Sequence, residues 1–338
     1  MRIFALLIFI YSWPVQAQIP QSERELLHLI LNKNGINQQK IEELKESAAL
    51  EILFYRNEMV AGQLPPELSV YDEELYLDLK RNRRIHQLRL TNPDYEATKS
   101  LGFTMSLPED FDEKKKYPVI FILPGFTSEK NVTAYIEEPG QVIIVGMDYP
   151  FQNIEPNYFL RPEAFVKDSF KVVAQASAAL AWLQERPYVD RRKVNLMGVS
   201  LGGILLPAVK NYAKNQGVLV NASIISHSAI NLEQVLTADL EMYAGKREAE
   251  ILSRTLSIAL EPFNPERHAS QTSGPYLFIY SDDDQLFPVK YATAYFDKLP
   301  GPKEAKVISG GHVNVSRPEV IDQVVETSKA WLRSQGAL

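Results

Sequence analysis

The sequence predicts an α/β protein built on a doubly wound, mostly parallel sheet, and three observations carry that reading. Short apolar runs such as "YPVIFILPG" (Tyr117 to Gly125) are unbroken rather than alternating, the mark of strands buried on both faces. Helical patterns separate these runs, so strands and helices alternate along the chain. The stretch "VNLMGVSLGG" (Val194 to Gly203) sets a serine among glycines where β-formers give way to a helix.

The N-terminus, "MRIFALLIFIYSWPVQAQ", has one positive charge at Arg2 and an apolar run from Ile3 to Trp13 that is too short to span a bilayer. Pro14 and small residues precede Gln18. Residues 1–17 are read as a secretory signal, which predicts a secreted or periplasmic protein with no membrane span after its removal. Residues 18–84 read as a helical segment. "SERELLHLILNK" puts Leu26, Leu27, Ile30 and Leu31 on one face, with Ser22 and Glu25 as a capping box. A second helix ends at Gly62, and "YDEELYLDLKRNRR" (Tyr71 to Arg84) reads as helix or irregular chain.

At Ile85 the pattern changes. "IHQLRLTN" and "SLGFTMSLP" alternate as a strand pair around the turn signal "NPDY". There follow the strands "YPVIFILPG" and "QVIIVGMDYP", the long helix "PEAFVKDSFKVVAQASAALAWLQERP", the strand "KVNLMGVS" and a helix. The strands "VLVNASIISHS", "PYLFIYS" and "AKVISGG" come next, with a helical stretch from Leu232 to Leu260, a helix near Tyr291 to Leu299 and a last helix from Pro318 to Ser334 among them. Residues 85–338 are therefore one α/β domain, with an insertion at about 231–270. That insertion is too long for a simple crossover, and its Leu236, Leu240, Met242, Tyr243, Leu252, Leu256 and Leu260 suit a lid over the sheet.

Composition narrows the function. The 338 residues are 45% hydrophobic, enough for a large core, and the formal charge of −6 offers no basic surface for a phosphate backbone. No cysteine is present, so there is neither disulfide nor thiolate chemistry. No histidine pair has metal-ligand spacing and the aspartate cluster lacks the glycine and glutamate of a calcium loop, so neither metal nor organic cofactor is expected.

A strand that reverses directly into a helix forces its turn residue into strained geometry, and a Cβ at Gly198 or Gly202 would collide with what packs there. The turn lifts the Ser200 hydroxyl to the top of the sheet as a candidate nucleophile. A base is expected in a loop after the last strand. Of the five histidines, His312 in "VISGGHVNV" has that place; His28, His86, His227 and His268 read as surface or structural residues. The acid is expected after the preceding strand. "YLFIYSDDDQLFP" offers three aspartates, and Asp284 is favoured because it stands four residues before the helix-starting Pro288, with Asp282 and Asp283 as alternatives. Oxyanion stabilisation needs two fixed N–H groups, assigned to Leu201 after the serine and to Phe126 after Gly125.

In their order along the chain, "PGF", "GVSLGG", "DDDQLFP" and "GGH" resemble the α/β-hydrolase superfamily over Ile85 to Leu338. "LPEDFDEKKKYPVIFILPGF" and "LQERPYVDRRKVNLMGVSLGG" are similar to its secreted esterase, dienelactone-hydrolase and prolyl-oligopeptidase-like branches. The resemblance implies the α/β-hydrolase fold and a triad of Ser200, Asp284 and His312. Many members have a histidine before the oxyanion-loop glycine, where this chain has Pro124. The function expected is an exported serine hydrolase acting on small carboxylic esters. The alternatives are a peptidase or amidase of the same fold, or a non-catalytic protein whose N-terminal helices bind an unknown partner.

Overall fold

The structure, a computed structural model, describes residues 68–92, 100–125, 129–136, 140–150, 162–241, 245–259 and 264–338. The signal segment and the helices expected over residues 18–67 lie outside the described residues. The chain divides into two compact units. One contains Asn57–Pro150, Lys171–Ile230 and Phe263–Leu338; the other contains Met1–Arg56, Phe151–Phe170 and Asn231–Pro262.

The first unit holds a nine-stranded sheet. Its strands are β1 (Ser69–Asp78), β2 (Arg83–Thr91), β3 (Leu101–Leu107), β4 (Tyr117–Leu123), β5 (Ile143–Met147), β6 (Val189–Val199), β7 (Ser223–Ser226), β8 (Tyr276–Ser281) and β9 (Lys303–Ile308), in the order β1-β2-β3-β5-β4-β6-β7-β8-β9. β1, β2, β3 and β5 pair antiparallel in succession, and β5, β4, β6, β7, β8 and β9 are parallel. The longer helices among the described residues are α1 (Pro162–Gln184), α2 (Leu201–Asn215), α3 (Leu232–Glu241), α4 (Lys246–Ala259), α5 (Val289–Lys298) and α6 (Pro318–Ser334).

Strand alternation sorts the core into two layers. Ile120, Ile122, Ile144, Ile224, Leu277 and Ile279 point to one face, where Val320, Val324, Trp331 and Leu332 of α6 cover them. On the other face Phe103 packs at a tilt against Trp182 of α1 at 5.6 Å and Phe278 edge-to-face against Tyr295 of α5 at 5.4 Å. Tyr295 donates to the Gly203 carbonyl of α2 at 2.7 Å, joining two helices of that layer. Burying each such large apolar side chain contributes roughly 1.5–3 kcal/mol, so the unbroken apolar runs of β4, β5 and β8 are what a sheet covered on both faces requires.

One reading is corrected. Tyr71 to Arg84 is not helix or irregular chain: β1 and the start of β2 occupy it. Leu75, Tyr76 and Leu79 mimic helical spacing, but cross-strand pairing decides the local structure. Asp72 lies 3.6 Å from Arg89 and Glu73 lies 3.2 Å from His86. Asp78 accepts from the Lys80 and Arg81 amides at 3.1 and 3.2 Å, and Asn82 takes a φ of 52°, which together turn the chain into β2. β1 is an exposed edge strand, so burial leaves no alternation in its sequence.

At the N-terminal ends of β7 and β8 a lysine is buried. Lys210 Nζ donates to Ser223 Oγ at 2.8 Å and sits 4.3 Å from the centre of the Tyr276 ring. With no carboxylate among those contacts, burial pushes its pKa down to about 7.

In the second unit α3 and α4 pack against each other. Thr237 Oγ1 and Ser253 Oγ are 2.6 Å apart, and Arg254 Nε donates to Glu233 at 3.0 Å. Of the residues expected to line a lid, Leu236 alone has a described side chain, and it is half-buried. No helix among the described residues is long and apolar enough to cross a membrane.

Candidate active site

β6 ends at Val199 and α2 begins at Leu201, leaving Ser200 as the single residue of the reversal. Its φ of 54° and ψ of −114° place it in a region that side-chain-bearing residues avoid, a strain of roughly 1–3 kcal/mol. Neighbouring strands hold it there: the Ser200 amide donates to the Ser226 carbonyl at 2.8 Å, and its own carbonyl accepts from Gly203 at 2.9 Å. The glycines around it are sterically required. A Cβ on Gly198 would strike the backbone of Gly202, and one on Gly202 would strike the Leu123 carbonyl at the end of β4. The hydroxyl therefore stands at the carboxyl end of the parallel strands, where open α/β sheets place their ligands.

His312 lies on the loop between β9 and α6. Its Nε2 is 2.9 Å from Ser200 Oγ and its Nδ1 is 2.8 Å from Asp284 Oδ2. The second Asp284 oxygen accepts from the Leu286 and Phe287 amides, both at 2.9 Å, so each carboxylate oxygen is occupied and the group is fixed in orientation. Its side chain is 2% exposed, against 15% for His312. Burial alone would raise the carboxyl, but the His312 charge and hydrogen bond, with the Phe287 amide, outweigh it and hold Asp284 below the usual carboxylate range. Asp284 is thus ionised at neutral pH.

The three aspartates separate into distinct environments. Asp282 is exposed. Asp283 Oδ1 accepts from Ser281 Oγ at 2.6 Å and from the Gly311 and Gly310 amides at 2.8 and 3.2 Å. The Ser281 hydroxyl first, then the Gly311 amide, lower its pKa. Gly310 and Gly311 have φ of 116° and 75°, which leaves both amides free to turn toward one carboxylate. Arg317 donates to the Gly310 carbonyl from the far side. Asp283 is therefore an anchor for the loop that carries His312. Sequence reasoning gave it no such task, because the contact spans from β8 to β9.

Of the two residues assigned to oxyanion stabilisation, Leu201 opens α2, so its amide belongs to the first turn, which has no partner within the helix. Phe126 lies outside the described residues. The chain just before it is held: the Tyr149 hydroxyl, 2% exposed at residue level, donates to the Pro124 carbonyl at 2.7 Å. Tyr149, the tyrosine of "GMDYP", stands two residues past the end of β5, the strand beside β4, and this neighbouring position is the signal that could have found it.

Of the histidines read as surface or structural, His86 on β2 faces Glu73 on β1, and His268 lies beside Asn211 and Tyr212. His227, read the same way, is bonded to Ser226 at 2.9 Å. It is fully buried, and its ring lies 5.7 Å from that of His312 at an interplanar angle of 90°. Among the described residues no cluster of histidine, aspartate and glutamate could hold a metal ion.

No family model matches the sequence. A curated protein named "Probable dipeptidyl-aminopeptidase B", from Paracoccidioides brasiliensis, is 23% identical over an alignment covering 55% of this chain and 23% of that protein. The chain thus spans about a quarter of the length of this relative. Among solved structures, an acetyl xylan esterase from a Paenibacillus species superposes with a TM-score of 0.56 at 17% identity, covering 82% of this chain and 93% of its own. The α/β-hydrolase GrgF from a Penicillium species superposes with a TM-score of 0.51 at 17% identity, covering 75% and 99%. The strand order, the reversal at Ser200 and these likenesses together identify the chain as having the α/β-hydrolase fold.

Proposed function

We propose that the protein is an exported serine hydrolase that cleaves small carboxylic esters through an acyl-enzyme. The observation that carries this reading is the continuous hydrogen-bonded line from Asp284 through His312 to Ser200. Ser200 Oγ attacks the ester carbonyl while His312 Nε2 takes its proton. Asp284, ionised and fixed, holds the Nδ1 proton in place and balances the imidazolium. The amides of Leu201 and Phe126 receive the developing oxyanion. His312 then returns the proton to the leaving alcohol, and water repeats the sequence to release the acid and regenerate Ser200.

An ester substrate is favoured by the acetyl xylan esterase likeness. The alternative is a peptidase or amidase, favoured by the aminopeptidase likeness; the same three side chains would serve it. Export rests on the apolar N-terminal run that precedes Gln18. A panel of p-nitrophenyl esters and peptide anilides, assayed on protein beginning at Gln18, tests the reading. Turnover of short-chain esters well above that of anilides is expected. Cleavage of anilides alone would replace the ester reading with the peptidase one, and turnover of neither would remove both.

A further inference from the structure

Among the described residues the His312 ring has two aromatic neighbours. Phe287 meets it at 5.3 Å and 65°, and His227 meets it at 5.7 Å and 90°. His227 follows the last residue of β7 with a φ of 48°, a left-handed conformation unusual for a residue bearing a side chain. It is held there by β8 and by the end of its own strand. Its amide donates to the Ile279 carbonyl of β8 at 2.8 Å, and its ring Nδ1 lies 2.9 Å from Ser226 Oγ. The residue is 0% exposed, and among the described residues its buried Nε2 has no well-formed hydrogen bond, the Gly311 backbone being the polar group that acts on the ring. A strained backbone and a poorly paired polar atom each cost stability. Neither is needed to complete the sheet, since an apolar side chain would fill the same space without the buried nitrogen.

We propose that His227 is a positioning residue, a buried aromatic wall that with Phe287 holds the His312 ring in the plane joining Asp284 to Ser200. The proposal rests on the serine-hydrolase reading above. A base that must bond two partners along opposite edges has one rotational freedom left, about the χ angles that swing its ring out of line. Packing on its sides removes that freedom before substrate arrives, and misplacement by about 1 Å can cost on the order of 100-fold in rate. The environment keeps the wall uncharged at neutral pH. Burial, then the His312 charge, lower the His227 pKa to about 4, against the opposing pull of Asp284, the Gly311 carbonyl and Asp283. A neutral neighbour adds no like charge beside His312 when that ring takes up the Ser200 proton.

Two variants separate the ring from its hydrogen bond. His227→Phe keeps an aromatic ring and drops the bond to Ser226; His227→Gln keeps a polar partner for Ser226 and removes the ring. The readout is the rate at which a fluorophosphonate labels Ser200 across pH 5 to 9, corrected for folded fraction by circular dichroism. This reaction requires nucleophile and base but not the natural substrate. The Phe variant is expected within about threefold of the parent with an unchanged pH profile. The Gln variant is expected to be slower by about tenfold or more, with a shifted profile. Gln labelling at the parent rate, or Phe as slow as Gln, overturns the proposal. Failure of the parent protein itself to label overturns the serine-hydrolase reading, and this proposal with it.

Discussion

The carboxylate of Asp283 accepts the Gly311 amide at 2.8 Å, so the aspartate next to Asp284 anchors the residue before His312. From sequence the three aspartates differ only by a step or two in spacing, whereas the structure gives them different tasks. Asp284→Asn is expected to lower kcat by orders of magnitude, on the order of 10⁴, because an amide cannot hold the required tautomer. Asp283→Ala removes two hydrogen bonds to the loop that carries His312 and one to Ser281, and is expected to lower kcat by about tenfold, with a stability loss of about 1–2 kcal/mol. Asp282→Asn is expected to match the parent. Steady-state kinetics and thermal melts on the three variants check the ranking, and a large kcat loss in the Asp282 variant would contradict it.

Tyr149→Phe removes only the hydroxyl that meets the Pro124 carbonyl. A buried carbonyl left without that donor costs about 1–2 kcal/mol, and the loop leading to Phe126 loses a tether. The expected result is a several-fold fall in kcat with KM little changed, because the loop is assigned to the transition state rather than to ground-state binding. A change confined to KM would assign the loop to substrate binding.

Gly202→Ala and Ser200→Ala should diverge. The added methyl at Gly202 meets the Leu123 backbone, which is pinned between β5 and β6 and has no rotamer to yield. The Gly202 variant is therefore expected to lose both activity and several degrees of Tm, from strain of about 1–3 kcal/mol. Ser200→Ala removes one hydroxyl from a turn and is expected to lose activity with Tm nearly unchanged. Differential scanning calorimetry alongside ester turnover distinguishes the two.

How far the sequence reached follows burial. The fully covered strands β4, β5 and β8 were legible because burial on both faces leaves an unbroken apolar run. β1 was not legible: an exposed edge strand has no buried face to imprint alternation, and the spacing of Leu75, Tyr76 and Leu79 imitates a helix. Ser200, Asp284 and His312, which the structure brings within hydrogen-bond distance of one another, each sit at a strand end whose order the fold dictates. Asp283, Tyr149 and His227 escaped because their partners come from neighbouring strands distant in sequence. Their tasks are hydrogen bonds and ring contacts for which no local motif exists.

Lys210 sets a pH dependence away from the site. Its pKa is lowered to about 7 from 10.5, so between those values the unfolded chain binds a proton that the folded chain has released. Stability therefore rises as pH climbs through that window and falls toward its lower end. From pH 7 to 9 the gain due to this group is about 2 kcal/mol. Lys210→Met is expected to lack that gain and to be at least as stable as the parent at pH 7. Urea denaturation of both proteins at the two pH values checks it, and parallel pH dependence in the two would contradict a neutral buried lysine.

The central claim is that Ser200 is the nucleophile served by His312 and Asp284. Intact-mass and peptide-mass measurement after treatment with a fluorophosphonate tests it most directly. The account requires one adduct per chain, located on Ser200, absent from Ser200→Ala and formed orders of magnitude more slowly in Asp284→Asn. An unmodified parent chain, or an adduct and ester turnover that persist in Ser200→Ala, would contradict it.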